Sequence, residues 1–274
     1  MKISVRASLV VLFFMVVAVA LIALNSSTIR KFANYLRPNA NEQLIFAVIG
    51  DTEGHIDTYR QLLALAKTNG AAFVIHVGDV SADGSNASLD QMREVAAAQE
   101  LPVYTVPGNH DIRVDPTRQT FAARFNKVNF AFEASGFRFA LLDNADRQVG
   151  FSDQTLAWLA DDLAQHRQAT YVLAFHRPFG FPLSSIVGDD ETPPSRAANN
   201  QFLSIISRAQ VAAIFSGHLH IYLPYKLNSI PAYITGGGGG DPQPELGRLG
   251  QQANHLLLVK VRDGRLRAEP LPLR

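Results

Sequence analysis

The chain has 274 residues, of which 47% are hydrophobic, so it is long enough for one large domain or two small ones. Its 25 lysines and arginines balance 24 acidic residues, and no long basic run is present to grip a phosphate backbone. The composition therefore disfavours nucleic acid as a partner. The lack of cysteine excludes disulfides, thiolate metal sites and thiol nucleophiles, so any metal must be held by nitrogen and oxygen.

The N-terminal segment departs from this globular composition. Residues 7–24 carry no charged side chain and follow the cationic Lys2 and Arg6. This pattern predicts a single transmembrane helix that anchors the chain, and a cleaved signal peptide is the alternative. We expect an anchor over residues 1–24, a linker over 25–42 and a folded domain over 43–274. The domain is expected outside the cytoplasm, either membrane-anchored or, after cleavage, secreted or periplasmic.

From residue 44 onward, apolar runs of strand length alternate with helical patterns, which is typical of an α/β fold. The predicted strands cover residues 44–50, 72–78, 103–106, 138–143, 171–175, 211–215, 232–235 and 256–261. The predicted helices cover residues 56–69, 89–100, 117–125 and 152–166, with Ser152 as the expected N-cap of the last. The irregular residues 179–200 predict a lid, and the glycine run 236–240 predicts a flexible loop.

Unusual polar residues stand just after several of these predicted strands. They are Asp51, Asp79, Asn109 with His110, His176, and His218 with His220. The carboxyl ends of strands in such folds open onto a common crevice, so these side chains can converge there. Two aspartates, an asparagine and three histidines supply six nitrogen or oxygen ligands, enough for two metal ions. Imidazole and carboxylate suit manganese, iron, zinc or nickel, and one aspartate can bridge two ions.

These motifs resemble those of calcineurin-like metallophosphoesterases. The resemblance rests on Gly50-Asp51, Gly78-Asp79, Gly108-Asn109-His110-Asp111, Phe175-His176 and Gly217-His218-Leu219-His220, which occur in the family's order. It extends over roughly residues 44–240, most of the chain beyond the apolar segment. The fold implied by the resemblance consists of two facing mixed β-sheets flanked by helices.

The resemblance also implies a role for each motif residue. Asp79 would bridge two divalent metals, with Asp51 and His220 completing one site. The second site would be completed by Asn109, His176 and His218. His110 would stay off the metals and protonate the leaving-group oxygen, while a hydroxide bridging the two metals attacks phosphorus. The implied reaction is the hydrolysis of phosphomonoesters or phosphodiesters.

The first motif departs from the family pattern, which often has histidine two positions after the first aspartate. Glu53 stands there and His55 follows two positions later, so Glu53, His55 or a water could fill that ligand position. Asp83 and Asp111 are the nearby acids that could orient His110. Ala82 replaces the tyrosine typical of purple acid phosphatases, which disfavours a purple iron site.

Arg113 and Arg177 adjoin the ligand motifs and are the candidate clamps for substrate phosphate. Two rival hypotheses accompany the hydrolase. One is a scaffold that keeps the fold without catalysis, and the intact ligand set argues against it. The other is a cytoplasm-facing phosphoesterase of lipid precursors, which differs in topology and substrate rather than in chemistry.

Overall fold

The computed structural model describes residues 44–181, 184, 192–247 and 250–273, and these belong to one unit, Gln43–Arg274. The predicted anchor and linker, most of residues 182–191, and residues 248, 249 and 274 lie outside this description. Within the described ranges no helix has the length and apolar character needed to cross a membrane.

Eleven strands and five α-helices are found in the described residues. The strands are β1 (Leu44–Ile49), β2 (Val74–His76), β3 (Val103–Thr105), β4 (Phe130–Ala134), β5 (Phe137–Leu141), β6 (Thr170–Ala174), β7 (Gln210–Ser216), β8 (Tyr222–Leu227), β9 (Ile230–Thr235), β10 (His255–Arg262) and β11 (Arg265–Pro272). The helices are α1 (Ile56–Thr68), α2 (Asn86–Ala97), α3 (Gln119–Ala122), α4 (Asp153–Gln165) and α5 (Pro193–Ile206).

The strands form two mixed sheets. The first sheet has the order β11-β10-β1-β2-β3, and the second has the order β4-β5-β6-β7-β9-β8. In the first sheet β1, β2 and β3 run parallel, and in the second β5, β6, β7 and β9 run parallel. The carboxyl ends of parallel neighbours share one edge, so each sheet delivers several loops to the same place.

Three apolar layers hold the sheets and helices together. The central layer joins the two sheets, with Phe46 and Val77 from one side packing with Phe139 and Phe215 from the other. A second layer packs the first sheet against α1 and α2, and a third packs the second sheet against α4 and α5. The expected fold, two facing mixed sheets flanked by helices, is confirmed.

Local sequence explains where the helices begin. Side-chain oxygens of Ser85, Ser152 and Thr192 each accept the backbone N–H of the residue three positions on, at the starts of α2, α4 and α5. The cap predicted at Ser152 is therefore confirmed. Helix α5 begins with Pro193, which is pre-organised for the first helical position.

Four elements were missing from the sequence prediction: β4, β8, β11 and α5. β4, β8 and β11 lie at sheet edges, where side chains are only partly buried and strand patterns weaken. The expectation of an irregular lid over residues 179–200 was wrong from residue 193 onward, because α5 starts there. The paired prolines 193 and 194 look like loop residues but occupy the first helical turn.

Candidate metal centre

All the predicted ligand residues lie on loops at the carboxyl ends of parallel strands. Asp51, Asp79 and Asn109 follow β1, β2 and β3 of the first sheet, whereas His176 and His218 follow β6 and β7 of the second. Because the sheets face each other, ligands 167 positions apart meet here: the backbone N–H of His218 donates to Asp51. The convergence expected from the sequence is present.

The inner group consists of Asp79, His176 and His218, whose ligand atoms lie within 4.8 Å of one another. His176 Nε2 is 3.3 Å from Asp79 Oδ2 and 3.1 Å from Asn109 Oδ1. The side chain of His176 is fully buried, and that of Asp79 is 2% exposed. These atoms form a buried cluster of nitrogen and oxygen donors.

The orientation of His176 is fixed from behind. Its Nδ1 donates to the carbonyl oxygen of Val77 at 2.9 Å, so Nε2 is the nitrogen that faces Asp79. Asn144 holds the backbone on the other side, because its Oδ1 accepts the N–H groups of His176 and Arg177. Such supporting bonds commonly fix the tautomer and direction of a ligand histidine.

The outer group consists of Glu53, Asp79 and His110, again with ligand atoms within 4.8 Å. Glu53 Oε1 lies 3.3 Å from His220 Nε2 and 3.4 Å from His110 Nε2. Its side chain is 16% exposed, so this group is more open than the inner one. The two groups share Asp79.

The structure brings Glu53 and not His55 to the centre. His55 is exposed and belongs to neither group, and its Nδ1 contacts the carbonyl oxygen of Thr52 at 2.9 Å. Glu53 takes a left-handed backbone conformation with φ of 44°, and its N–H donates to Asp79 O at 2.9 Å. This backbone bond ties the first-motif loop to the second.

Asp51 is fully buried, and both of its carboxylate oxygens accept the N–H of His218, at 2.8 and 2.9 Å. Its Oδ1 lies 3.8 Å from His220 Nε2. Burial raises the pKa of Asp51 to about 8. Asp51 therefore joins the first motif to the His-Leu-His loop as well as facing His220.

Charges in the inner group act on one another. Burial raises the pKa of Asp79, but the His176 imidazole outweighs it and holds the pKa below its usual range. Burial favours neutral His176, yet the Asp79 carboxylate raises its pKa to about 9. Burial and nearby Arg177 lower the pKa of His218. The buried Asp79 carboxylate thus makes positive charge favourable beside it.

The donor set fits divalent metal ions. Buried carboxylates need positive charge to stay ionised, and imidazole with carboxylate is the ligand chemistry of first-row ions. Two groups of donors sharing one carboxylate can hold one ion each or a single ion between them. The residues present therefore fit a metal site of nitrogen and oxygen ligands.

Two of the motif glycines, Gly78 and Gly108, allow this close packing. A Cβ added at Gly78, which has φ of 92°, would lie 2.5 Å from His176 Nδ1. A Cβ at Gly108 would overlap the backbone nitrogen of Asp79. Side chains at either position would therefore push the ligand loops apart.

The glycine run 236–240 lies beside the centre and is packed against the first-motif loop. Gly238 donates to the carbonyl oxygen of Gly50 at 2.8 Å, and Gly240 donates to that of Asp51 at 2.9 Å. A Cβ at Gly240 would lie 2.5 Å from His220 Cε1. The run lets backbone from the second sheet approach the first-motif loop.

The ring of His110 is oriented by a backbone carbonyl. Its Nδ1 donates to Ala82 O at 3.0 Å. Neither of the acids predicted to orient it, Asp83 or Asp111, accepts from this nitrogen. Asp111 is buried and accepts from the N–H groups of Val80, Ser81 and Gly108, so it joins two ligand loops. Asp83 accepts the N–H of Ser85 at the surface.

Both predicted arginines contact residues of the centre. Arg113 Nη2 lies 2.7 Å from His110 Nε2 and is exposed. Arg177 Nη1 donates to Asn109 Oδ1 at 3.3 Å and is 8% exposed. One guanidinium therefore stands at the entrance and the other beside the inner group.

Sequence reasoning missed Asn144, which holds His176 and Arg177. The signal was available, because Asn144 stands three residues after β5, at the same edge as the other strand-end residues. It was overlooked because an asparagine without a recognised motif is usually a turn residue. His76 is buried in β2 and contacts Thr52 Oγ1 at 3.1 Å.

Comparison with known proteins agrees with this geometry. A family model described as calcineurin-like phosphoesterase matches residues 44–222. Purple acid phosphatase 21 of Arabidopsis thaliana is 28% identical over 237 residues, which are 76% of this chain and 52% of that protein. A probable glycerophosphodiester phosphodiesterase, GpdQ, of Arcobacter nitrofigilis is 23% identical over 155 residues, 54% of this chain and 56% of that protein. This chain thus spans about half the length of these relatives.

Among solved structures, that of purple acid phosphatase PPD1 from yellow lupin (Lupinus luteus) seeds is similar in fold. It has a TM-score of 0.60 and 18% identity, over 85% of this chain and 52% of that chain. The motif resemblance is confirmed by the family match, which covers well over half of the chain. The chain belongs to the calcineurin-like phosphoesterase family.

Proposed function

We propose that the protein is a metal-dependent hydrolase of phosphate esters, acting on monoesters or diesters. The observation that carries the proposal is the sharing of Asp79 by two donor groups at one edge of the fold. A shared carboxylate can hold two metal ions close enough to act together on one phosphate. Relatives named as a phosphatase and as a phosphodiesterase support the same reaction class.

We assign the ligands as follows. Asp79 would bridge the two ions, and Asn109, His176 and His218 would complete the inner site. Asp51 and His220 would complete the site of the second ion, and His110 of the outer group would stay off both ions. Glu53 would supply a further oxygen to the second ion in place of His55, which the 3.3 Å contact between Glu53 and His220 supports. Manganese, iron, zinc and nickel all suit these donors.

When bound, such ions would neutralise phosphate charge and lower the pKa of water. The protein's own part is to orient the ester and to handle the leaving-group proton. Because His110 Nδ1 donates to Ala82 O, its Nε2 is the position that would carry this proton. Arg113 contacts that nitrogen at 2.7 Å, and a bound phosphoryl oxygen would compete for the guanidinium. Arg177 would bind a phosphoryl oxygen near Asn109.

Residues 1–24 are proposed to anchor the chain in a membrane, with residues 25–42 as a linker and the domain from 43 outside the cytoplasm. Support comes from the uncharged residues 7–24 after Lys2 and Arg6. Release of the domain by cleavage is the alternative. The topology is tested with a reporter that works only in the cytoplasm, fused to the C-terminus. Activity of this reporter would contradict the proposed topology.

The reaction is tested by removing and restoring metal. The full chain is stripped with a chelator and supplied singly with Mn²⁺, Fe²⁺, Zn²⁺ or Ni²⁺, then assayed against p-nitrophenyl phosphate and bis-p-nitrophenyl phosphate. We expect turnover to return with metal and to follow metal content up to two ions per chain. Two bound ions without turnover on either ester would overturn the hydrolase assignment.

A further inference from the structure

A cluster of basic residues covers one face of the hairpin formed by β10 and β11, far from the metal centre. The register pairs Lys260 with Arg267 and Arg262 with Arg265 directly across the two strands. Because side chains alternate between faces, all four project from the same side of the sheet. All four are exposed. We call this cluster the basic face.

The pairing is electrostatically unfavourable, since like charges directly opposite each other destabilise a sheet. Of the acids that the structure describes, two contact the basic face. Glu269 accepts from Arg267 at 2.8 Å, and Asp263 lies 4.0 Å from Arg262. Among the described residues, no acid lies within 4.0 Å of Lys260 or Arg265. The basic face therefore keeps a net positive charge at a cost to stability.

Protection of a sheet edge explains only part of this arrangement. β11 is the edge strand of the first sheet, and charges on an edge discourage pairing with another chain. That accounts for Arg265 and Arg267. It does not account for Lys260 and Arg262, because β10 is paired on both sides, with β11 and β1.

The basic face cannot turn inward to find partners. The opposite face of the hairpin carries Val259, Val261, Leu266 and Ala268, which pack in the central apolar layer. The β10–β11 turn has φ of 51° at Asp263 and 69° at Gly264, the left-handed conformations of a tight hairpin. The four charges are thus presented on a rigid surface.

The position of the basic face points to a membrane. Leu44, the first described residue, pairs with Val261 and so enters the domain beside Lys260 and Arg262. The apolar residues 7–24 precede it in the chain. The metal centre follows the other end of β1, at Asp51, so a surface contacting the basic face would leave the centre open to substrate.

We propose that the basic face docks the domain onto a lipid bilayer that carries anionic head groups. A flat array of lysine and arginine matches a plane of negative charge, and each such residue near the surface strengthens binding about fivefold. The attraction falls off within a Debye length, about 8 Å at physiological salt, so the charges must face the membrane directly. The proposal is independent of the reaction assigned to the metal centre.

The test compares the full chain with the double variant Lys260→Gln, Arg265→Gln on two kinds of vesicle. One is phosphatidylcholine alone, and the other contains about 30% phosphatidylglycerol. Binding to the neutral vesicle reports the apolar N-terminal residues, so the quantity of interest is the ratio of anionic to neutral affinity. We expect the double variant to lower this ratio roughly 25-fold at low salt.

The matched control is Lys127→Gln, Lys226→Gln, which removes the same charge from two other exposed lysines. We expect this control to keep the ratio within about twofold of the unmodified chain. Amide hydrogen exchange gives a second readout, because β11 amides at the free edge should be protected on anionic vesicles only. Equal ratios for the two double variants would overturn the proposal. The proposal would also be overturned if the Lys260→Gln, Arg265→Gln variant lost binding to an oligonucleotide but kept its binding to the vesicles. Nucleic acid would then be the partner of the basic face.

Discussion

The inner and outer groups of the metal centre share Asp79 but are built differently. In the inner group, His176 is fully buried and its ring is fixed by a carbonyl oxygen of the neighbouring sheet. In the outer group, the side chains of Glu53 and His110 are 16% and 19% exposed. Glu53 is positioned by a left-handed turn rather than by a strand.

The difference indicates that the inner group is the rigid half of the centre and the outer group is the accessible half. Burial strengthens electrostatic interactions and holds ligands in one geometry, which favours tight metal binding by the inner group. The open outer group, with Arg113 beside it, is where an ester from solvent would first make contact. Predicted effects of substitutions should therefore differ between the halves in kind as well as in size.

The largest effect is expected where the two halves meet. Asp79→Ala removes the shared carboxylate and also the acceptor for the N–H of His110, now 2.7 Å away. We expect kcat/KM for p-nitrophenyl phosphate to fall at least about a thousandfold, with fewer than one tightly bound ion per chain.

The control for this variant is Asp83→Ala, which removes a surface carboxylate four residues away that accepts the N–H of Ser85. It should retain near-normal activity and metal content. Circular dichroism and the unfolding midpoint establish that each variant is folded. An Asp79→Ala protein with two bound ions and more than a tenth of the activity would contradict the shared role.

The rigidity of the inner group is tested at Gly78. Alanine there must adopt φ of 92° and places its Cβ 2.5 Å from His176 Nδ1, so both backbone strain and overlap arise. We expect a loss of roughly 3 kcal/mol in the free energy of unfolding, measured with urea. In Gly264→Ala the φ is also positive, at 69°, but nothing lies within 4 Å of the new Cβ. That variant should lose only about 1 kcal/mol. Equal losses for the two variants would mean that the overlap with His176 adds nothing to the free-energy cost at Gly78.

The same contrast explains what the sequence could predict. Asp79, His176 and His218 each stand just after a strand whose carboxyl end is buried, and the carboxyl ends of parallel strands converge. Their convergence was therefore predictable without coordinates. Glu53 and His55 lie on a turn whose direction depends on two successive left-handed residues, Glu53 and Gly54. Sequence alone left these two ligands and water as alternatives, because a turn of this kind has no periodicity.

The fold divides in a similar way. Central strands such as β6 and β7 carry continuous apolar runs and were predicted within one residue or so at each end. The edge strand β11 alternates exposed and half-buried residues, and its pairing with β10 is a long-range contact that local pattern does not reveal. The packing of the glycine run 236–240 was not predicted for the same reason, since its partners at Gly50 and Asp51 are distant in sequence.

An intermediate effect is expected in the outer group, where Glu53→Gln and His55→Gln form a matched pair. Glu53 lies 3.3 Å from His220 Nε2, whereas His55 is turned to the carbonyl oxygen of Thr52. We expect Glu53→Gln to weaken binding of one ion roughly 10- to 100-fold and to leave the other in place. His55→Gln should change neither ion. Metal titration followed by calorimetry separates the two ions, and the reverse outcome would make His55 the ligand.

The smallest effect is expected at the entrance. Arg113 is exposed and contacts His110 at 2.7 Å, so in Arg113→Gln the substrate loses one charge-assisted hydrogen bond that the proposed mechanism gives it. We expect KM for p-nitrophenyl phosphate to rise roughly fivefold while kcat stays within about twofold. Arg60→Gln is the control, since Arg60 is equally a surface residue and, within the described part of the chain, pairs only with Asp57 of its own helix. A fall in kcat with unchanged KM would instead mean that Arg113 assists the proton transfer by His110. The outer half would then contribute to catalysis rather than to substrate binding alone.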